Sequence, residues 1–398
     1  MKTPQQLSTP LIWGLALLSA SPALSTDMYL PAMPGIAADL NTTTPMVQLT
    51  LSAFMAGMAI GQLIIGPISD QLGRKGLLVG GAAAALIASV LCAVAPSISV
   101  LILARVLQGL GGGACVVIAR AIVPDLARGK KAAQAFALLM IIQGVAPVLA
   151  PLFGGVLVEY VGWRGIFWAL ALINVVQLGV VVFGIRESQP VEERSAAGLR
   201  GMLANYAFVL GNRQFLAYTL TLAFAFGALF SYISASPFVI QTQMGLSVGM
   251  FSIIFGVNAC GLILGGMLNR RLLQRVHAHI VMRTVLLSLV VLGAFLLVEV
   301  LFIQWTPLFL LLLFLLMSHI PMIMANATAL GTEVVRERAG SGSAILGFTQ
   351  FSMAAVVSPL VGLGSDKALT MALMMTLCAC CALGFAYLAG RKGLPTMA

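Results

Sequence analysis

Uncharged apolar stretches of about twenty residues recur along nearly the whole 398-residue chain. A helix of about twenty such residues crosses the ~30 Å hydrocarbon layer of a bilayer. Within that layer every backbone N–H and C=O must find a partner inside the protein, which leaves only helices and closed barrels. The stretches are continuous rather than alternating, so a barrel is excluded. Only 9% of the residues are charged, against about 25% in soluble domains. The chain is therefore an all-α integral membrane protein. Twelve transmembrane helices are predicted, at roughly 9–31, 46–68, 76–95, 98–120, 133–157, 165–185, 214–240, 248–268, 280–302, 306–330, 340–362 and 368–389.

The longest connection, 186–213, carries Arg186, Glu187, Glu192, Glu193, Arg194, Arg200 and Arg213. It divides the chain into a first six-helix half, 1–185, and a second, 214–398. The remaining charge fixes an orientation. Loops on the side of the N-terminus hold Arg74 and Lys75, then Arg128, Lys130 and Lys131, the central loop, Arg270, Arg271 and Arg275, Arg336 and Arg338, and last Arg391 and Lys392. The opposite loops offer only Arg164 and Lys367 as basic residues. Positive residues stay on the cytoplasmic side, so both termini and the central loop are expected there. The same placement accounts for the net charge of +10 without a nucleic-acid partner. A weak repeat supports the two halves: Gly66–Lys75 (GPISDQLGRK) against Gly266–Arg275 (GMLNRRLLQR), and Pro151–Gly154 against Pro359–Gly362.

The first stretch has some features of a cleavable leader. It continues into Tyr29-Leu30-Pro31 and is soon followed by another apolar stretch, so a retained first span is expected. The six cysteines all fall in apolar stretches and read as small buried residues rather than a redox or metal set. Gly245-Leu246-Ser247-Val248-Gly249 matches a nucleophile elbow in letters, but that motif needs a strand before it. No metal or cofactor motif is present in the sequence.

One acid stands out. Asp27 ends the first apolar stretch, in Ser25-Thr26-Asp27-Met28-Tyr29, and everything before it back to Leu11 is uncharged. A carboxylate at membrane depth costs about 2.5–3.5 kcal/mol on insertion scales and usually marks a pathway. Asp27 is a candidate proton site; the alternative is an acid just outside the membrane that ends a helix. Arg105 lies about two turns inside the fourth span, at a depth similar to Asp27, where it can serve as countercharge to the acid. Snorkelling to the surface is the other reading of Arg105. His319, in the tenth span, is either a proton relay or an interhelical hydrogen bond.

Three further stretches carry a family resemblance. Gly66-Pro67-Ile68-Ser69-Asp70-Gln71-Leu72-Gly73-Arg74-Lys75 resembles the loop signature of the major facilitator superfamily, with Gln71 in place of the usual basic residue. Gly66 would allow helices to approach and Gly73 a tight turn; Asp70 would hold a neighbouring helix N-terminus or an arginine, and with Arg74 these residues would form a latch that can break and re-form. Arg105 followed by Gln108-Gly109 and small residues is similar to the family's second motif. Gln143-Gly144-Val145-Ala146-Pro147 through Pro151, Gly154 and Gly155 resembles the third, found in drug-exporting branches. Its two prolines should bend a gate helix.

With the Thr26–Pro34 opening and Ala339–Gln350, these stretches resemble the Bcr/CflA branch of drug/proton antiporters. The resemblance implies the twelve-helix fold in two six-helix halves and alternating access. It also implies a bacterial inner-membrane location, a monomer, and proton-driven export of small, mostly apolar drugs of the bicyclomycin or phenicol kind. The proton is then the coupling ion and no other cofactor is expected. Candidate cavity residues are Tyr29, Gln48, Phe54, Met58, Gln108, Gln143, Tyr232, Asn258 and Gln350, chosen as polar, aromatic or Met side chains within spans. The rival readings are an exporter or symporter of one metabolite with the same fold, and a membrane receptor or enzyme.

Overall fold

The structure is a computed structural model that describes residues 7–127, 129–190 and 198–390. Arg128, Glu192, Glu193, Arg194, Arg391 and Lys392, used above for orientation, lie outside the described residues. The described chain is helical almost throughout: α1 (Thr9–Asp27), α2 (Met33–Asp39), α3 (Thr44–Leu72), α4 (Arg74–Ala93), α5 (Ile98–Leu126), α6 (Gly129–Gly179), α7 (Gly198–Leu210), α8 (Arg213–Pro237), α9 (Val248–Leu272), α10 (Ala278–Val298), α11 (Thr306–Val334), α12 (Ala339–Val361) and α13 (Lys367–Ala389).

Ten described helices are long and apolar enough to cross a membrane. One of them runs 56 residues from Gly129 to Gly184, about 84 Å at 1.5 Å per residue and far more than one bilayer. Its backbone breaks at Gly162, with φ 69°. A side chain would strain that conformation, so glycine sets the boundary between the fifth and sixth spans. Counting these as two, and adding the 19-residue α1, gives the twelve spans expected. Two elements were not foreseen: the short helix α2 after the first span, and α7 within the central connection.

The chain divides into two compact units. One runs through Gly198 and takes in Ser247–Ile253; the other holds Leu199–Leu246 and continues from Ile254. Each unit closes two of its helices tightly on glycine. In the first, a Cβ on Gly57 would overlap the Val106 carbonyl and one on Gly109 the Phe54 carbonyl, so α3 and α5 meet backbone to backbone. In the second, a Cβ on Gly265 would overlap the Ser318 carbonyl, bringing α9 against α11. These are the second and fourth spans of each half. Small residues are the packing device expected where lipid removes the hydrophobic drive between helices.

The cysteine reading holds in part. Cys92, Cys115 and Cys378 are buried, but Cys260 and Cys380 lie on exposed helix faces. Ser247 of the elbow-like stretch accepts the Met250 N–H at 3.1 Å, which caps the start of α9.

Candidate coupling site around Arg105 and Asp27

Arg105 is fully buried in the first unit, enclosed by aromatic rings. Its guanidinium carbon lies 4.8 Å from the ring centre of Tyr29, 4.5 Å from Phe54 and 5.9 Å from Phe167. The close α3–α5 crossing is what sets Phe54 over it, and Met58 follows one turn on, its sulfur 3.7 Å from a Cβ position on Gly112. Tyr29 and Phe167 also contact each other, with ring centres 5.6 Å apart. The Tyr29 hydroxyl meets Thr50 Oγ1 at 2.7 Å. Thr50 gives its own proton to the Val47 carbonyl at 2.6 Å, so Tyr29 is the donor.

Nη1 of Arg105 donates to the Ser25 carbonyl at 2.9 Å and to Gln108 Oε1 at 2.6 Å. Gln108 Nε2 donates to Ser89 Oγ at 2.7 Å, and Asn174 Nδ2 donates to the same oxygen at 2.8 Å. Ser89 in turn donates to the Ala85 carbonyl at 2.8 Å. The network ties α1, α4, α5 and the far arm of α6 together and leaves Gln108 and Asn174 holding the arginine's surroundings. Nε and Nη2 of Arg105, by contrast, have no hydrogen-bond acceptor among the described residues. The ring faces attract the charge but accept no full hydrogen bond, so three N–H donors are left without a protein acceptor among the described residues at a buried site.

Asp27 is the last residue of α1 and is 6% exposed. It ends a helix, as one reading had it, yet it is buried. Among the described residues no ion pair joins it to Arg105. Arg105 instead grips the backbone two residues away at Ser25, and the polar neighbour of the carboxyl is Thr26. Gly154 of α6 packs directly on the Met28 carbonyl. The third motif thus touches the backbone next to the acid. Pro151, Gly154 and Gly155 are buried and Pro147 is half-buried; the helix runs on past both prolines as far as Gly162.

The loop motif forms a charged hub. Arg74 Nη1 lies 2.5 Å from Asp70 and donates to Ser69 Oγ at 2.6 Å, while Nε donates to Asp125 Oδ2 at 3.1 Å. Gly73 turns the chain with φ 99°. The N-terminus of α4 is held not by Asp70 but by Glu187, whose two oxygens accept the N–H groups of Arg74 at 2.8 Å and Lys75 at 3.2 Å. The sequence showed Glu187 only as a loop charge; its place just after the sixth span was the available signal. Gly66 meets only ordinary contact, with Val117 at 3.5 Å; the tight approaches fall one and two turns earlier, at Gly61 and Gly57.

A second cluster, missed from sequence, stands at the far ends of these spans. Asp39 Oδ2 accepts Trp163 Nε1 at 2.9 Å and Arg164 Nη1 at 2.6 Å, and Arg164 Nη2 reaches the Ala95 carbonyl at 3.2 Å. The two hydrogen bonds, that from Arg164 first, hold the exposed Asp39 carboxyl below its ordinary value. Trp163 meets Phe167 edge-on, with ring centres 6.1 Å apart, so the cluster abuts the arginine cage.

The other candidates separate. Gln48 is buried in α3. Tyr232 and Asn258 form a buried pair in the second unit, with Asn258 Nδ2 donating to the Tyr232 hydroxyl at 2.8 Å. Gln143 and Gln350 are half-exposed. His319 joins two helices: Nδ1 donates to the Leu315 carbonyl at 2.7 Å, and Nε2 lies 3.0 Å from Ser288 Oγ. A carbonyl only accepts, so Nδ1 carries a proton. Glu299 is 2% exposed, and Oε1 accepts the Trp305 N–H at 2.8 Å.

Residues 15–359 match the Major Facilitator Superfamily. The chain is 35% identical over 363 residues to an uncharacterized MFS-type transporter, YdgK, of Bacillus subtilis, covering 91% of this chain and 90% of that one. It is 29% identical over 377 residues to a bicyclomycin resistance protein homolog of Haemophilus influenzae, covering 94% of each. Among solved structures, a bacterial homolog of the human lysosomal transporter Spinster, inward-facing and occupied, superposes with a TM-score of 0.74 at 18% identity, over 96% of this chain and 97% of that one. That likeness concerns the fold. With the twelve spans, the loop hub and the motif arginine in place, this chain belongs to the Major Facilitator Superfamily.

Proposed function

We propose that the protein exports small, mostly apolar drugs, of the bicyclomycin or phenicol kind, across the bacterial inner membrane in exchange for protons. Both termini then face the cytoplasm, and the protein alternates access to one substrate site. The observation that carries this reading is Asp27: a buried acid with no basic partner among the described residues, two residues from the carbonyl that Arg105 holds. The name of the Haemophilus influenzae relative supports the substrate class.

In this mechanism the ionised Asp27 turns to the vacant Nε and Nη2 donors of Arg105. A proton from outside neutralises the acid and releases the guanidinium, and that change of partner distinguishes the two states. A ligand drives such a cycle only through different affinities for the two states. Drug and proton therefore compete through the charge on Asp27. The test is transport by the purified protein in liposomes with and without an imposed pH gradient. Asp27→Asn is expected to abolish gradient-driven drug flux while leaving drug binding intact; full flux from that variant across a range of pH overturns the assignment.

A further inference from the structure

A second arginine lies in the last two turns of α5. Arg120 is six residues before the helix ends at Leu126, about 9 Å of helix at 1.5 Å per residue, and its side chain is exposed. Nη2 donates to Gln143 Oε1 at 3.0 Å. Gln143 is fourteen residues inside α6, so this bond draws the guanidinium along α6 rather than toward the end of α5, as snorkelling would. No acid pairs with Arg120 among the described residues. Of the acids on the first unit's spans, Asp27 and Glu159 lie at the ends remote from Leu126, Asp70 is engaged by Arg74, and Asp125 by Arg74 and Ser188. An arginine on a spanning helix, exposed and with no acid partner among the described residues, belongs on a water-facing surface rather than in lipid.

The chemistry of the pair is one-sided. Gln143 spends its carbonyl on Arg120, which leaves its amide N–H groups as donors alongside the remaining N–H donors of the guanidinium. The next residue, Gly144, has open space where a side chain would stand. A pair that offers N–H donors, those of Arg120 cationic, matches a carbonyl, nitro or carboxylate group and repels an organic cation.

We propose that Arg120 and Gln143 form a recognition point for an acceptor group on the exported molecule, so that the transporter takes neutral and anionic acceptor-bearing compounds and rejects lipophilic cations. This rests on the export reading above and narrows its substrate class. Equilibrium binding to the purified full-length protein in detergent tests it, with chloramphenicol as the neutral probe, salicylate as the anionic probe and tetraphenylphosphonium as the cation. Wild-type protein is expected to bind at least one of the first two, and tetraphenylphosphonium not to compete. Arg120→Gln should weaken that binding by about tenfold or more, as loss of a charged hydrogen bond does. Arg120→Lys should restore part of it. Three results overturn the proposal: Arg120→Gln binding within about twofold of wild type with an unchanged gel-filtration profile, competition by tetraphenylphosphonium, or no binding of either acceptor probe. Failure of proton-driven export shows separately, as absent gradient-dependent flux with binding intact.

Discussion

At the scale of single residues, the cost is concentrated on Arg105. A buried guanidinium with three unfilled donors is retained because rings on several sides attract it and two acceptors fix Nη1. A lysine carries the same charge as a compact point and cannot lie flat among Tyr29, Phe54 and Phe167 while reaching both Ser25 and Gln108. Arg105→Lys is therefore expected to lower gradient-driven transport by about tenfold or more, as loss of about 1.4 kcal/mol or more would, with chloride-free proteoliposome flux as the readout. Retained flux would mean that charge alone suffices. The exposed clasp at Asp39 behaves differently. Its carboxyl is held below the ordinary value by Arg164 and Trp163. The folded value lies below the unfolded one, so its stabilising contribution is full above the ordinary carboxylate range and is lost as pH falls through the folded value. Asp39→Asn should flatten the fall in melting temperature between about pH 5 and pH 3. An unchanged slope would leave the clasp without a stabilising part.

At the scale of elements, glycines decide where helices touch. Gly154 matters most for function, because a Cβ there overlaps the Met28 carbonyl, one residue from Asp27. The added methyl must push α6 or the end of α1 aside, at a cost of about 1–3 kcal/mol. Gly154→Ala is expected to lose most of its gradient-driven flux while its melting temperature falls by only a few degrees, as a loss of that size allows in a chain of this length. Equal and small effects on both would separate the third motif from the acid. The loop hub is also a junction of elements. Arg74 links the end of α3 to the end of α5, and Glu187 caps α4 from the chain that follows the sixth span.

At the scale of the whole molecule, the two units repeat one device, a glycine crossing between their second and fourth spans, and the basic loops fall on one side of the spans. In a cysteine-free background, single cysteines placed at position 3 and position 396 are expected to resist an impermeant maleimide in intact cells and to react after the cells are opened. Labelling of either in intact cells overturns the orientation. The twelve spans were legible in the sequence because lipid imposes length and apolarity locally on each segment. The α2 and α7 helices were not, since both are short and outside that constraint.

The sequence alone determined that this is a twelve-span membrane protein with one expensive acid, Asp27, and a motif arginine, Arg105, because each of those properties belongs to a segment and its solvent. It could not determine who partners whom. Arg105 and Asp27 sit at similar depth in the chain, yet the arginine bonds Ser25 and Gln108 and leaves the acid to Thr26. Phe167, Ser89 and Asn174 enter the site from other helices, at long sequence separation and with no local signal. Side-chain direction and helix crossing set those contacts, and both are fixed by how glycine faces let whole helices approach. Only the tertiary structure brings them together.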